Sequence, residues 1–149
     1  MKNSVLRNKN CFITGATGGL GKEIARSLVK YDCNLFLTSN EKPTKEFLDE
    51  LKNVNKKNKI HFETADLTSE KEFKKVIKIC RTKIGQINIL VNSAGIFPIK
   101  FIQKSTMKDF DRCFDINVRL PYALIKEFSS QMIKKKWGRI INIVSSSAY

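Results

Sequence analysis

Apolar residues come in short runs separated by longer amphipathic stretches. Cys11-Phe12-Ile13 leads into Thr14, Asn34-Leu35-Phe36-Leu37-Thr38 follows, and Ile60 to Thr64, Ile87 to Val91 and Arg139 to Val144 continue the series. Runs this short, bounded by Gly, Asn, Asp and Ser, predict strands. The unbroken apolar centre of the second run predicts burial on both faces, as in a parallel sheet. Between the runs the period changes. Leu20, Ile24 and Leu28 recur every fourth residue, which predicts a helix from about Gly19 to Tyr31. Phe47, Leu48, Leu51 and Val54 mark a second helix that begins near Pro43. Phe73, Val76, Ile77 and Cys80 mark a third, opened by Ser69 with Glu72 in capping-box spacing and closed by Gly85. Thr106 with Asp109 opens a fourth helical region that runs to about Lys135. A break is expected near Asn117 to Pro121, because proline disfavours an unbroken helix.

Strand and helix thus alternate along the chain, and each crossover is long enough for a helix. Neighbouring strands should be parallel with right-handed connections. The expected fold is α/β: an open, doubly wound parallel sheet in a three-layer α/β/α arrangement, with its ligand crevice at the carboxyl ends of the strands. Small and polar residues collect after the strands. Gly15, Thr17, Gly18, Gly19, Leu20 and Gly21 follow the first, and Thr38, Ser39 and Asn40 the second. Asp66 and Leu67 follow the third, Asn92, Ser93, Ala94 and Gly95 the fourth, and Ser145 the fifth. A strand, a glycine-rich turn and a helix hold a phosphate well. Glycine permits close backbone approach, and the helix start offers unpaired N–H groups and a positive dipole end.

Composition narrows the picture. A chain of 149 residues with 42% hydrophobic content suits one domain with one real core. There are 28 Lys and Arg against 14 Asp and Glu, a formal charge of +14. The basic residues are scattered, with short clusters only at Lys56-Lys57 and Lys134-Lys135-Lys136 and no basic stripe interleaved with aromatics. That distribution predicts solvated helix faces and no nucleic-acid partner, with mild attraction for anionic small molecules. No apolar run reaches the roughly 18 residues of a membrane helix, and the start lacks the apolar core of a signal peptide. The expectation is a cytoplasmic protein without a membrane partner. Cys11, Cys33, Cys80 and Cys113 form no Cys-x-x-Cys pair and His61 is the only histidine, so no metal site is expected and the thiols should be reduced and largely buried.

These residues together resemble the short-chain dehydrogenases/reductases, over the whole chain. Thr14 to Gly21 resembles the family's T-G-x-x-x-G-x-G cofactor loop, and Asp66-Leu67 the pair that meets the adenine. Asn92-Ser93-Ala94-Gly95 resembles the N-N-A-G motif with serine in second place. Asp115-Ile116-Asn117 resembles the segment carrying the catalytic asparagine, and Gly138 to Ser145 the strand that delivers the catalytic serine. Within the family the stretch from Met132 to Ile141 is most similar to 3-oxoacyl-(acyl-carrier-protein) reductases. The resemblance implies a Rossmann fold and hydride exchange between a nicotinamide cofactor and a carbonyl or alcohol, with a 3-oxoacyl thioester as the candidate substrate. Ser145 would orient the substrate oxygen, and Asn117 would support a water relay. It also implies pairing of subunits through the long helix of residues 106–135 when the protein is full length.

Two departures shape the expectation. The family's Tyr-x-x-x-Lys pair should follow the serine on a further helix, whereas this sequence reaches Tyr149 soon after Ser145. Tyr122 and Lys126 have the spacing but precede the fifth strand, and read as an ordinary helix pair. The chain therefore reads as the N-terminal part of an enzyme, without its C-terminal strands and inactive alone. The rival reading is a nucleotide-binding protein without catalysis. At the end of the second strand, Thr38-Ser39-Asn40 offers no acid for a ribose 2′-OH, which favours NADP over NAD.

Overall fold

All five apolar runs pair side by side in one parallel sheet in the computed structural model, which describes residues 5–145. The central strand is β1 (Asn10–Thr14). β2 (Asn34–Ser39) and β3 (Ile60–Thr64) lie on one side of it, and β4 (Ile89–Asn92) and β5 (Arg139–Asn142) on the other. Among the described residues the strand order is β3-β2-β1-β4-β5, with every pairing parallel. After β3 the chain crosses the sheet to begin β4 beside β1, so the order reverses between β1 and β4. Such a switch point opens a crevice at the carboxyl ends of the strands.

Helices cover both faces, as buried parallel strands require. Ala25 and Val29 of α1 (Gly19–Val29) and Phe47 and Leu51 of α2 (Lys45–Val54) pack with Leu35 and Leu37 on one face. The other face buries Val76 and Cys80 of α3 (Glu70–Lys83) and Leu124 and Phe128 of α5 (Leu120–Lys134) against Phe12 and Phe36. Phe12 stacks on Phe36 with centroids 5.1 Å apart and meets Phe128 at the same distance. A fully buried side chain of this size contributes roughly 2–3 kcal/mol, so the three rings join sheet and helix layer.

Several expected boundaries shift for local reasons. The first helix ends at Val29 rather than Tyr31, because Asp32 turns into the left-handed region at φ 61°. The fourth strand begins at Ile89 rather than Ile87. Asn88 just before it spends its side chain accepting from the Asn10 amide. The fifth strand stops at Asn142 rather than Val144, since its partner β4 ends at Asn92. In place of a break near Asn117 the helix continues. α4 (Met107–Phe114) passes through a π-turn at Asp115–Arg119 into α5. Pro121 lacks an N–H, and the widened turn accommodates its ring without ending the helix. The Ser69–Glu72 box is half formed. Ser69 accepts from the Glu72 amide, but the Glu72 carboxylate accepts from Asp66 N at 2.7 Å instead. Cys11, Cys33 and Cys80 are buried free thiols, while Cys113 is only half-buried on α4.

The edge of the sheet where the strands start is tied by asparagines. Asn10 donates to the carbonyls of Ile84 (3.0 Å) and Gln86 (2.8 Å) and accepts from Asn34 Nδ2 (2.8 Å). Asn34 in turn accepts from Lys59 N at 2.9 Å.

Candidate functional site

At the opposite edge, above the switch point, the strands end in a cleft of about 340 Å³. Its walls come from every connection that leaves β1, β2, β3 and β4. Gly15, Thr17 and Gly18 form one side, Thr38, Ser39, Asn40 and Glu41 the next. Ala65 to Thr68 form the third, and Ser93 to Ile96 the last, with Ile116 and Leu120 closing from the helix. The volume falls within the range of small-molecule sites.

The first turn is built for close approach. Gly15 sits at φ 63°, and a Cβ there would lie 2.8 Å from Ala94 Cα and N and 2.9 Å from the Ser93 carbonyl oxygen. Thr14, almost fully buried, locks the two loops together. Its Oγ1 accepts from the amides of Ser93 (3.1 Å) and Ala94 (3.0 Å). Gly18 then caps α1 without a side-chain bond, and the first turn of that helix holds no acid. The amides of Gly19, Leu20 and Gly21 are therefore the open donors of an eleven-residue helix, a natural seat for an anion. Those three residues contribute through this backbone and do not line the cleft wall.

On the neighbouring wall Thr17 Oγ1 and Ser39 Oγ share a 2.7 Å hydrogen bond. Thr38 is fully buried and its Oγ1 has no partner. A buried hydroxyl without a partner costs free energy, and here it borders the cleft, where a ligand's polar atom can satisfy it. Asp66 is held in a fixed conformation. Its amide donates to Glu72, and its Oδ1 accepts from the amide and the hydroxyl of Thr68. Among the described residues no lysine or arginine lines the cleft, whereas Glu41 and Asp66 do.

Asn92 and Asn117 act from behind the wall. Asn92 is 4% exposed and donates to Asn142 Oδ1 at 2.7 Å across the β4–β5 pair. Asn117, in the π-turn, clasps the backbone of Ile96. It accepts from the amide at 3.0 Å and donates to the carbonyl at 2.8 Å, so it fastens the loop that carries Gly95. Ser145 is exposed, three positions beyond the end of β5, and is not on the wall. Its neighbours Ser146 and Ser147, and Tyr149, lie outside the described residues. Tyr122 and Lys126 are both exposed on α5 and do not line the cleft. Glu41, Thr68, Ile96 and Leu120 join the site although sequence reasoning passed over them. Register could have signalled the first two, which directly follow expected site positions. Ile116 and Leu120 depend on where the π-turn sets α5.

The groups present suit a dinucleotide: the α1 amides are donors fit for a pyrophosphate, and the hydroxyl and amide side chains after β2 are fit for a ribose. In sequence, the chain is 38% identical over 138 residues to the 3-oxoacyl-(acyl-carrier-protein) reductase FabG of Rickettsia typhi, covering 92% of this chain and 54% of that one. It is 32% identical over 140 residues to the D-beta-hydroxybutyrate dehydrogenase of Rhizobium meliloti, covering 93% and 54%. The fold is similar to the crystal structure of Cj0485 dehydrogenase, with TM-score 0.84 and 29% identity over 96% of this chain and 54% of that one. It is also similar to a short-chain dehydrogenase from Streptomyces avermitilis, with TM-score 0.80 and 25% identity over 93% and 49%. The chain thus spans about half the length of the relatives it matches. With residues 9–149 matching the short chain dehydrogenase family as a whole, the chain belongs to that family of oxidoreductases, whose members use NAD(P).

Proposed function

We propose that this chain is the dinucleotide-binding portion of an NAD(P)-dependent reductase of carbonyl substrates, 3-oxoacyl thioesters being the favoured class. One observation carries the reading. The cleft at the switch point joins an uncapped helix start, a glycine too crowded for any side chain and an unsatisfied buried hydroxyl. When bound, the nicotinamide supplies or takes up the hydride. The chain's own groups bind and orient. The α1 amides would hold the pyrophosphate, while Thr14 fixes the loop of Ser93 and Ala94 and Asn117 keeps that loop in place. Ser145 is the hydroxyl for the substrate oxygen. NADP is preferred over NAD, supported by the hydroxyls of Thr17 and Ser39 and the Asn40 amide. Glu41 on the same wall favours the opposite choice. Fluorescence titration with NADPH and NADH tests both levels: binding of neither overturns the site, and tighter NADH binding overturns the NADP preference.

A rival reading, nucleotide binding without catalysis, draws support from Ser145, Tyr122 and Lys126, none of which lines the cleft wall. Alone, this chain is expected to bind cofactor without turnover, and robust reduction of a 3-oxoacyl thioester by residues 1–149 would overturn that. Self-association of the longer protein through α4 and α5 is supported by exposed Met107, Phe110 and Tyr122.

A further inference from the structure

Scattered along the sequence, the basic residues are gathered by the topology. In a parallel sheet crossed by helices, every connection that leads into a strand ends at the same edge, here the one opposite the cleft. Lys59 precedes β3, Lys30 precedes β2 and Lys9 precedes β1. Lys83 ends the helix before β4, and Lys136 and Arg139 flank the start of β5. These connections touch one another in turn. Asn55 bonds Asp32 at 2.7 Å, the Asn34 amide bonds the Lys9 carbonyl at 2.9 Å, and Arg139 N bonds the Asn88 carbonyl at 3.0 Å. Asp32 is the one acid in these connections among the described residues, and it is already engaged by Asn55 and by Arg7 at 3.8 Å. Lys59, Lys83, Lys135 and Lys136 are exposed and have no carboxylate within 4 Å among the described residues.

Aromatic rings are set into this row. Trp137, half-buried, has the Lys9 Nζ 4.4 Å and the Arg139 guanidinium carbon 5.1 Å from its ring centroid. Tyr31 stands 54% exposed beside Lys30. The row crosses four inter-strand gaps, about 19 Å. A line of cations interleaved with aromatics is the pattern that holds single-stranded nucleic acid, the cations following phosphates and the rings meeting bases. We propose that the strand-start edge, from Lys59 to Arg139, is a binding surface for single-stranded RNA, separate from the dinucleotide cleft.

Fluorescence anisotropy of a fluorescein-labelled 15-nucleotide poly(U) with the 149-residue chain tests this. The expected affinity at physiological salt is in the non-specific range, about 10⁻⁶ to 10⁻⁴ M, and the dependence on salt is steep. Each phosphate contact on a single strand contributes about −0.7 to the slope of log K against log salt. Lys59→Glu with Lys135→Glu, at opposite ends of the row, should lower the slope's magnitude by about 1.4 and the affinity about 25-fold at 0.1 M salt. Lys71→Glu with Lys78→Glu makes the same charge change on the exposed face of α3 and should leave most of the binding intact. Saturating NADPH should not displace the RNA. Equal loss in both double variants would reduce the effect to diffuse attraction and overturn the proposal. Displacement by NADPH would mean that the strand occupies the cleft, and would also overturn it. So would sedimentation with phosphatidylserine–phosphatidylcholine vesicles, lost in the Lys59→Glu/Lys135→Glu variant, in the absence of RNA binding. Circular dichroism of each variant confirms that the fold is retained.

Discussion

One substitution, made at two glycines four positions apart, should have opposite signs. At Gly15, alanine meets two costs. The left-handed backbone at φ 63° costs a residue with a Cβ about 1–2 kcal/mol. The new Cβ would also lie 2.8 Å from the Ala94 backbone, and such overpacking costs about 1–3 kcal/mol. The stiffer unfolded chain returns about 0.4–1 kcal/mol. The net loss is about 1–5 kcal/mol, a large share of the roughly 5–15 kcal/mol that folds a domain. Gly19 opens α1 with nothing within 4 Å of its Cβ position and no positive φ. Alanine there should gain about 0.5–1 kcal/mol while keeping its amide as an anion donor. With a urea m-value of about 2 kcal/mol/M, the unfolding midpoint falls by about 0.5–2.5 M for Gly15→Ala and rises by about 0.3–0.5 M for Gly19→Ala. Nucleotide titration of the folded variants should show weakened binding only for the former. A Gly15→Ala protein within 0.5 kcal/mol of the parent, or a destabilised Gly19→Ala protein, would refute the reasoning.

Other outcomes follow from single contacts. Thr14→Val strands the Ser93 and Ala94 amides, whose hydrogen exchange should accelerate tenfold or more, while Thr14→Ser should leave them protected. Lys100 first, then Thr106, holds the Asp109 carboxyl down to about 2. A depressed carboxylate contributes fully above its unfolded value and is lost as pH falls through the folded one. Amide shifts of residues 106–110 should therefore stay constant from pH 7 to about 4 and move as pH falls towards 2; a transition centred near 4 would contradict the contact. Burial pushes the Cys80 thiol up to about 12 and encloses Cys11 and Cys33. Ellman's reagent should accordingly modify Cys113 first in the native protein and all four thiols in guanidinium.

Much of this architecture was legible in the sequence because its signals are local. Alternating apolar runs and helical periods set out the elements, and Gly15 to Gly21, Asp66 and Ser93 to Gly95 fell after strands, where the cleft formed. What escaped depends on contacts between distant residues. Pro121 reads as a break from its missing N–H alone, yet the π-turn carries the helix past it. Asn92 sits within a recognisable motif, but its amide faces Asn142, fifty residues on, rather than the cleft. Charge was the hardest property to read. Lys9, Lys30, Lys59, Lys83 and Lys136 look dispersed along the chain, and only the parallel topology brings their connections to one edge.

The asparagines at that edge have a mechanical consequence. Asn10 and Asn34 rivet the starts of the central strands to each other and to the turns beside them, while Thr14, the Thr17–Ser39 bond and the Asn92–Asn142 bond join the far ends. The sheet is thus cross-bonded by side chains at both ends, so its strands carry the cleft loops as one unit.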